Sequence, residues 1–130
     1  MAGKHSGNAL WIVTMDRKVR KDILRRYADM TASVAAGESN IGQINCYFCP
    51  QCERITKTVV KDSGIVPMGI ECPYCHAEAL CSENGDVAEK ISVTHNWYRP
   101  TAEETLELAQ ENKLFTVSMI LSGGLLREKL

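Results

Sequence analysis

Apolar residues recur at helical spacing between positions 17 and 36. At 100° per residue, five of them fall within one arc of about 80°: Val19, Ile23, Tyr27, Met30 and Val34. Asp16 can cap the first turn, and Gly37 can adopt the left-handed conformation that often ends a helix. The pattern predicts an amphipathic helix over residues 17–36, inside an N-terminal segment 1–43.

The opposite side of this helix is basic and carries Arg17, Lys18, Lys21 and Arg25. Several cations along one helix can neutralise nucleic-acid phosphates and release their counterions. A solvated surface produces the same pattern, so both interpretations stay open. Specific base readout is not indicated.

Short β-prone runs replace the helical pattern after a Gly-, Ser- and Asn-rich connector over residues 37–45. The runs RITKTVV and IVPMGIE flank the turn signal KDSG, which predicts a hairpin between two cysteine clusters. The stretch EALCSENGDVAEKISV predicts a second hairpin with ENGD as its turn. Pro67 indicates an edge strand or a bulge in the run that contains it.

Helical signals return near the C-terminus. Thr101 and Glu104 form a capping-box pattern that opens a short acidic helix to about Glu111. Residues 114–122 fit either a strand or a helix that Gly123 ends, and we favour the helix. The expected fold is therefore α+β: one domain over 1–130, with β-hairpins in residues 44–95 between a basic helix and a C-terminal helical segment 96–130.

Composition bounds the class of protein. Of the 130 residues, 45% are hydrophobic and 24% are charged, as in soluble globular domains, and no apolar run is long enough to cross a membrane. The apolar patch over residues 10–13 is too short for an export signal, so we expect a cytoplasmic protein with reduced thiols. The net charge is −1, but residues 1–36 carry seven basic and three acidic residues, against four and eight in residues 37–95.

Four of the six cysteines form matched units, Cys49-Pro-Gln-Cys52 and Cys72-Pro-Tyr-Cys75. A Cys-x-x-Cys turn lets both sulfurs reach one tetrahedral ion, and two such turns supply the four ligands that structural zinc requires. The proline fixes φ near −65° and so helps to aim both thiolates inward. The spacing indicates a metal site.

These units resemble the zinc-ribbon class of zinc-binding modules, in which two knuckles at the tips of β-hairpins hold one structural zinc. The resemblance covers roughly residues 44–93 and implies Cys49, Cys52, Cys72 and Cys75 as ligands of one Zn²⁺. The glycine that commonly follows each knuckle is replaced by Glu53 and His76.

The remaining cysteines leave alternatives open. Cys46 could replace a ligand of the first unit and His76 could replace Cys75, or Cys46 and Cys81 could be ordinary buried strand residues. Cys46, Cys49 and Cys52 also match the first three positions of a ferredoxin-type run, although the fourth position does not follow. A thiol–disulfide active site would need a βαβ pattern, which is absent, and structural disulfides are disfavoured in the cytoplasm.

The segment HNWYRP concentrates residues that often dominate protein interfaces, namely Trp97, Tyr98 and Arg99. The alternative is that the two aromatic rings cover the core. His95 is the sole candidate general base, and four cysteine ligands would leave zinc no open position for water. We therefore expect no enzyme activity and no small-molecule substrate.

Two functional hypotheses follow. In the first, the chain is a regulatory or adaptor protein that binds nucleic acid, or a complex that handles it, through the basic helix. In the second, it is an assembly component of a larger particle or an inhibitor of a partner protein, with residues 96–100 and the C-terminal tail as the contact. A small enzyme or electron carrier is a third, weaker hypothesis.

Overall fold

The computed structural model describes residues 16–82 and 89–130. Contacts divide the chain into two compact units. The helical unit contains residues 16–36 and 100–123, and the sheet unit contains residues 37–82, 89–99 and 124–130. Helices and a mixed sheet confirm the α+β prediction, whereas the prediction of a single domain stays a prediction.

Three helices build the described part of the helical unit: α1 (Arg17–Ala36), α2 (Ala102–Gln110) and α3 (Leu114–Leu121). The predicted limits of α1 are confirmed, and the Lys18 N–H donates to Asp16 Oδ1 at 2.7 Å as an N-terminal cap.

The apolar arc of α1 faces α2 and α3. Ile23 and Met30 are buried and Tyr27 and Val34 are half-buried, but Val19 is 49% exposed. The Tyr27 hydroxyl donates to the carbonyl oxygen of Pro100 at 2.6 Å. The amphipathic pattern therefore describes the core face except at its first position.

Capping explains how the two shorter helices begin and end. The Thr101 hydroxyl and the Glu104 carboxylate form both hydrogen bonds of the predicted capping box. Residues 114–121 are helical, as favoured, and Gly123 follows at φ 96°. Gly37 was expected to be left-handed, but the described glycines with positive φ are Gly42 and Gly123.

The sheet unit contains six strands in the order β3-β4-β1-β2-β5-β6. Strands β2 and β5 are parallel, and the other neighbours are antiparallel. The strands, in chain order, are β1 (Ile44–Phe48), β2 (Ile55–Val60), β3 (Gly69–Glu71), β4 (Glu78–Ser82), β5 (His95–Tyr98) and β6 (Leu126–Lys129).

The predicted hairpin between the cysteine clusters is wrong. Strand β2 forms within RITKTVV, but it pairs with β1 and β5, while β3 pairs with β4. The reversals therefore lie at the cysteine turns, over residues 49–54 and 72–77, and not at KDSG. Pro67 precedes β3, which is an edge strand, and its carbonyl oxygen accepts from the Tyr47 hydroxyl at 2.8 Å.

Two further expectations need correction. Strand β4 forms, but residues 89–90 are helical and residues 91–93 form no strand, so the described residues of the second predicted hairpin contain no return strand. The ENGD turn of this hairpin falls outside the described residues. The C-terminal segment is not wholly helical, because residues 95–98 and 126–129 are strands β5 and β6. Strand β5 lies beside β2, where Val60 aligns with Trp97 in the core.

The core of the sheet unit surrounds Tyr47 and Trp97, whose ring centroids are 6.2 Å apart. Trp97 is 3% exposed, and its Nε1–H donates to Thr58 Oγ1 at 2.9 Å. Cys49 and Cys72 belong to the same buried cluster, which joins the cysteine turns to the core. Among the described helices, none is long and apolar enough to cross a membrane.

Candidate metal centre

The first cysteine knuckle is the turn between β1 and β2. The Cys49 N–H donates to the Arg54 carbonyl oxygen at 3.0 Å, and the Glu53 N–H donates to the Cys49 carbonyl oxygen at 2.8 Å. These two bonds close the turn, so that Cys49 and Cys52 are held on the same short loop. Strand pairing continues at once with Phe48 opposite Ile55.

The second knuckle, between β3 and β4, repeats this arrangement. The Cys72 N–H donates to the Ala77 carbonyl oxygen at 2.7 Å, and the His76 N–H donates to the Cys72 carbonyl oxygen at 2.9 Å. Each bond has its counterpart in the first knuckle. The two matched sequence units therefore adopt the same local fold at the tips of two hairpins.

Left-handed residues complete both turns. Glu53 has φ 61° and His76 has φ 67°, the conformation that glycine adopts without steric cost. A residue with a side chain is strained there by roughly 1–3 kcal/mol. Glu53 and His76 therefore adopt the turn geometry that glycine would adopt, at the cost of backbone strain.

The two knuckles bring four sulfur atoms together, those of Cys49, Cys52, Cys72 and Cys75, all within 4.8 Å of one another. Cys49 Sγ lies 3.4 Å from Cys75 Sγ, and Cys52 Sγ lies 3.6 Å from Cys72 Sγ. A disulfide requires about 2.05 Å, so these four cysteines are free. Such a group can hold a metal ion.

The spacing fits a single tetrahedral ion. Sulfurs bound at about 2.3 Å to one centre lie about 3.8 Å apart, inside the range that the cluster shows. The thiolates of an iron–sulfur cluster bind different irons and need a wider cage. Cys46, which the ferredoxin-type interpretation requires, is not in the group.

The pKa shifts of the cysteines indicate that the four thiols do not all ionise together in the absence of a cation. Burial opposes ionisation of Cys72, but backbone N–H groups of Cys75 and Tyr74 donate to its sulfur and lower its pKa to about 6. For Cys75 the Ala77 N–H lowers the pKa, yet the neighbouring Cys49 sulfur and burial outweigh it and raise the pKa to about 12. Four thiolates cannot ionise side by side without a positive ion among them.

An aromatic contact joins the two knuckles and was not predicted. The Arg54 guanidinium lies over the Tyr74 ring, 4.7 Å from its centroid, as in a cation–π pair. Arg54 follows the first knuckle and Tyr74 lies inside the second. The Arg54–Tyr74 contact depends on how the two hairpins meet in the fold, so no local sequence pattern predicts it.

Cys46, Cys81 and His76 do not belong to the group of four clustered sulfurs. Cys46 is buried in β1 and Cys81 is exposed in β4, so the expectation of a buried residue holds for Cys46 and is wrong for Cys81. Burial raises the pKa of Cys46, which keeps it a neutral thiol. His76 is exposed, and its Nδ1 lies 3.5 Å from Glu71 Oε2.

The residues predicted for partner binding fall in different places. Four of the six cations of α1 form what we call the basic face, and all four are exposed: Arg17, Lys18, Lys21 and Arg25. Arg25 also pairs with Asp22 at 2.5 Å. Trp97 packs in the core, in agreement with the alternative interpretation, while Tyr98 and Arg99 are half-buried.

His95, the one candidate base, is buried in β5. Its Nδ1 lies 2.7 Å from the Thr94 hydroxyl. Burial lowers its pKa, and the positive charges of Arg127 and Lys129 lower it further. The neutral imidazole is therefore the favoured form.

Comparison of this chain with protein-family models, with curated proteins and with solved structures found no match in any of the three.

Proposed function

We propose that this chain is a zinc-ribbon protein in which Cys49, Cys52, Cys72 and Cys75 hold one structural Zn²⁺. The observation that carries the proposal is the convergence of four sulfurs from two equivalent hairpin tips within 4.8 Å. Zinc favours four thiolates in tetrahedral geometry and contributes its binding energy directly to folding.

A role in binding, and not in catalysis, follows from the same ligand set. Four thiolates fill the coordination sphere of zinc, so no position stays open for a water or a substrate. The zinc would join the β1–β2 hairpin to the β3–β4 hairpin, where the Arg54–Tyr74 contact already links them.

Metal analysis tests this assignment. Protein purified under reducing conditions should contain one zinc per chain by mass spectrometry of the intact native protein, without visible absorbance. A stoichiometric content of iron, or a metal-free protein whose sheet is folded, would contradict it. Cobalt substitution adds a positive test, because tetrahedral four-thiolate Co²⁺ has characteristic absorption bands.

We further propose that the protein is an adaptor that docks on nucleic acid, or on a complex that handles it, through the basic face. The supporting observation is that all four cations lie exposed along the first turns of α1. Each phosphate contact releases counterions, so affinity should fall with salt at a slope of roughly −0.9 per contact on duplex DNA. The contact would not depend on the base sequence of the nucleic acid.

Charge reversal tests this second step. The double variant Lys18→Glu/Lys21→Glu should weaken binding to every DNA or RNA sequence and reduce the salt slope by about two contacts. A matched control, Lys61→Glu/Lys113→Glu, changes net charge equally at two exposed positions outside α1. If both variants lost the same affinity for DNA or RNA, binding would depend on net charge alone. If the wild type showed no affinity for DNA or RNA at low salt, the proposal would be wrong.

The assembly hypothesis has one specific observation in its favour. Leu114 and Phe115 begin α3 in the C-terminal tail and are 60% and 78% exposed. Exposed apolar residues side by side can mark a protein contact. A Phe115→Ser variant that loses a nuclease-resistant partner, while Lys18→Glu/Lys21→Glu keeps it, would favour assembly over nucleic-acid docking.

A further inference from the structure

The two edges of the sheet differ in how they are protected. Strand β6 ends the sheet on one side and reads Leu-Arg-Glu-Lys, so three of its four residues are charged. Strand β3 ends the other side and reads Gly-Ile-Glu. Charged side chains are a common defence of an edge against further pairing. Strand β3 largely lacks this defence.

The open backbone groups of β3 can be assigned from its neighbours. The Cys81 N–H donates to the Met68 carbonyl oxygen, and the Cys72 N–H donates to the Ala77 carbonyl oxygen, both at 2.7 Å. Backbone orientation alternates along a strand, so Ile70 also faces β4. Gly69 and Glu71 therefore direct their N–H and carbonyl groups to the open edge, where the described ranges supply no strand.

Side chains beside this edge form an acidic and partly apolar border. Glu71 lies directly opposite Glu78, and like charges in that position repel each other. Gly69 lies opposite Leu80, which is 53% exposed. A Cβ placed on Gly69 would lie 3.3 Å from Leu80 Cδ2 and 3.8 Å from Glu78 Oε2.

A groove of about 360 Å³ lies along the same edge. It is lined by Gly69, Ile70, Glu71, His76 and Glu78. The hairpin over residues 69–82 contains two glutamates and no lysine or arginine. An occupant would therefore meet negative charge, open hydrogen-bonding groups and the exposed face of Leu80.

We propose that β3 is the docking site of an extended peptide segment of a partner protein, which adds a seventh strand to the sheet. Side chains two positions apart share one face of a strand. The segment should place a lysine or arginine beside Glu71 and Glu78 and, two positions away, a large apolar side chain beside Gly69 and over Leu80. The lysine removes the repulsion of the glutamate pair, and the apolar residue covers the surface that Gly69 leaves open.

A second copy of the chain fits this edge less well. Pairing β3 with its own copy would bring together two hairpins that each contain two glutamates and no lysine or arginine. Repulsion between like charges on neighbouring strands opposes such a dimer. Charge complementarity therefore selects a basic and apolar segment.

Synthetic peptides provide the test. Three peptides of nine residues are used, each built on alternating threonine and valine. The first carries a lysine and a leucine two positions apart, and the second carries them three positions apart. The third matches the first but has glutamate in place of lysine. With zinc-loaded full-length protein, the two-position lysine peptide should bind most tightly. The glutamate peptide should bind about tenfold more weakly, because an attractive cross-strand pair becomes a repulsive one.

Hydrogen exchange locates the contact. The lysine peptide should slow exchange of the Gly69 and Glu71 amides and leave that of Ile70, which already faces β4, unchanged. A version of this peptide N-methylated on its inward-facing amides should not bind. Equal binding of the methylated peptide would overturn the proposal, as would failure of every peptide to bind at millimolar concentration.

Variants of the protein complete the test. Gly69→Pro removes an outward N–H without removing a bond to β4, so it should abolish peptide binding while zinc content stays at one per chain. Glu78→Lys should weaken the lysine peptide and strengthen the glutamate peptide, whereas Glu128→Lys on β6 should change neither. Retention of binding by Gly69→Pro, or a wild-type dimer that Gly69→Pro dissociates while no peptide binds, would contradict the proposal.

Discussion

The two units bury their interiors by different means. In the helical unit, buried Ile23, Met30, Val117 and Ile120 are ordinary apolar side chains between helices. In the sheet unit, two of the eight residues of the buried core cluster are the cysteines Cys49 and Cys72, and Cys52 and Cys75 pack against it. Part of this core therefore consists of thiol groups that converge on one point, and its stability should depend on what is bound there.

Removal of the proposed zinc should produce the largest difference between the units. Structural zinc in small sites contributes on the order of 10 kcal/mol near neutral pH, as much as the stability of a whole domain. A chelator should therefore increase the rate of amide hydrogen exchange over β1–β4, while the amides of α2 and α3 stay protected. Hydrogen exchange with mass spectrometry, resolved by peptide, measures both at once, and equal loss in both units would show that they fold as one.

Cysteine variants separate the four clustered sulfurs from the two thiols outside the cluster. Cys52→Ser and Cys72→Ser should lose zinc and reproduce the effect of the chelator, because a closed four-sulfur site cannot spare a ligand. Cys46→Ser and Cys81→Ser should retain one zinc per chain, since neither sulfur belongs to the cluster. Loss of zinc in Cys46→Ser would mean that the first knuckle uses a different pair.

A cavity in the helical unit should give the next largest effect, and this effect should be confined to the helical unit. Ile120 is fully buried in α3, so Ile120→Ala should destabilise this unit by about 2–5 kcal/mol. Amide exchange should increase in α1, α2 and α3, and zinc content should not change. Leu114→Ala is the control on the same helix, because Leu114 is 60% exposed. Zinc loss in Ile120→Ala would show that the two units unfold together.

Local signals explain why the helical unit was predicted well. The apolar arc of α1, the Thr101–Glu104 capping box and the glycine after α3 act over a few residues and need no knowledge of the rest of the chain. The four clustered cysteines were also found locally, because each Cys-Pro-x-Cys turn contains its own two sulfur donors.

Strand pairing depended on information that local patterns do not contain. KDSG is a turn signal, yet Glu53 and His76 place the reversals at the cysteine turns by adopting the left-handed conformation. The parallel pair of β2 and β5 joins Val60 to Trp97 across the sheet, and β6 is a polar run without strand alternation. Such contacts arise from the tertiary fold, which overrides weak local preference.

Relief of backbone strain should give a smaller effect. Glu53→Gly and His76→Gly should each stabilise the sheet unit by up to about 1 kcal/mol, since glycine adopts positive φ without a steric penalty but costs more conformational entropy. Asn112 has φ 62° in the helical unit, and Asn112→Gly should gain less, because asparagine tolerates this conformation. The urea unfolding midpoint of the zinc-loaded protein measures this gain in stability. If Glu53→Gly were less stable than the wild type, the Glu53 side chain would contribute more stability than the backbone strain costs.

The smallest difference should appear on acidification, through His95. Because its folded-state pKa is lowered by burial and then by Arg127 and Lys129, the unfolded chain binds the proton more readily. Stability of the sheet unit should therefore be full above the unfolded value of about 6.5 and fall as the pH drops below it. His95→Gln removes this proton uptake and should flatten the decline, with excess zinc present so that loss of metal contributes equally to both proteins. The described part of the helical unit contains no histidine, and its exchange rates, corrected for intrinsic pH effects, should not change over this window. An unaltered decline in His95→Gln would assign the acid sensitivity to the cysteine site instead.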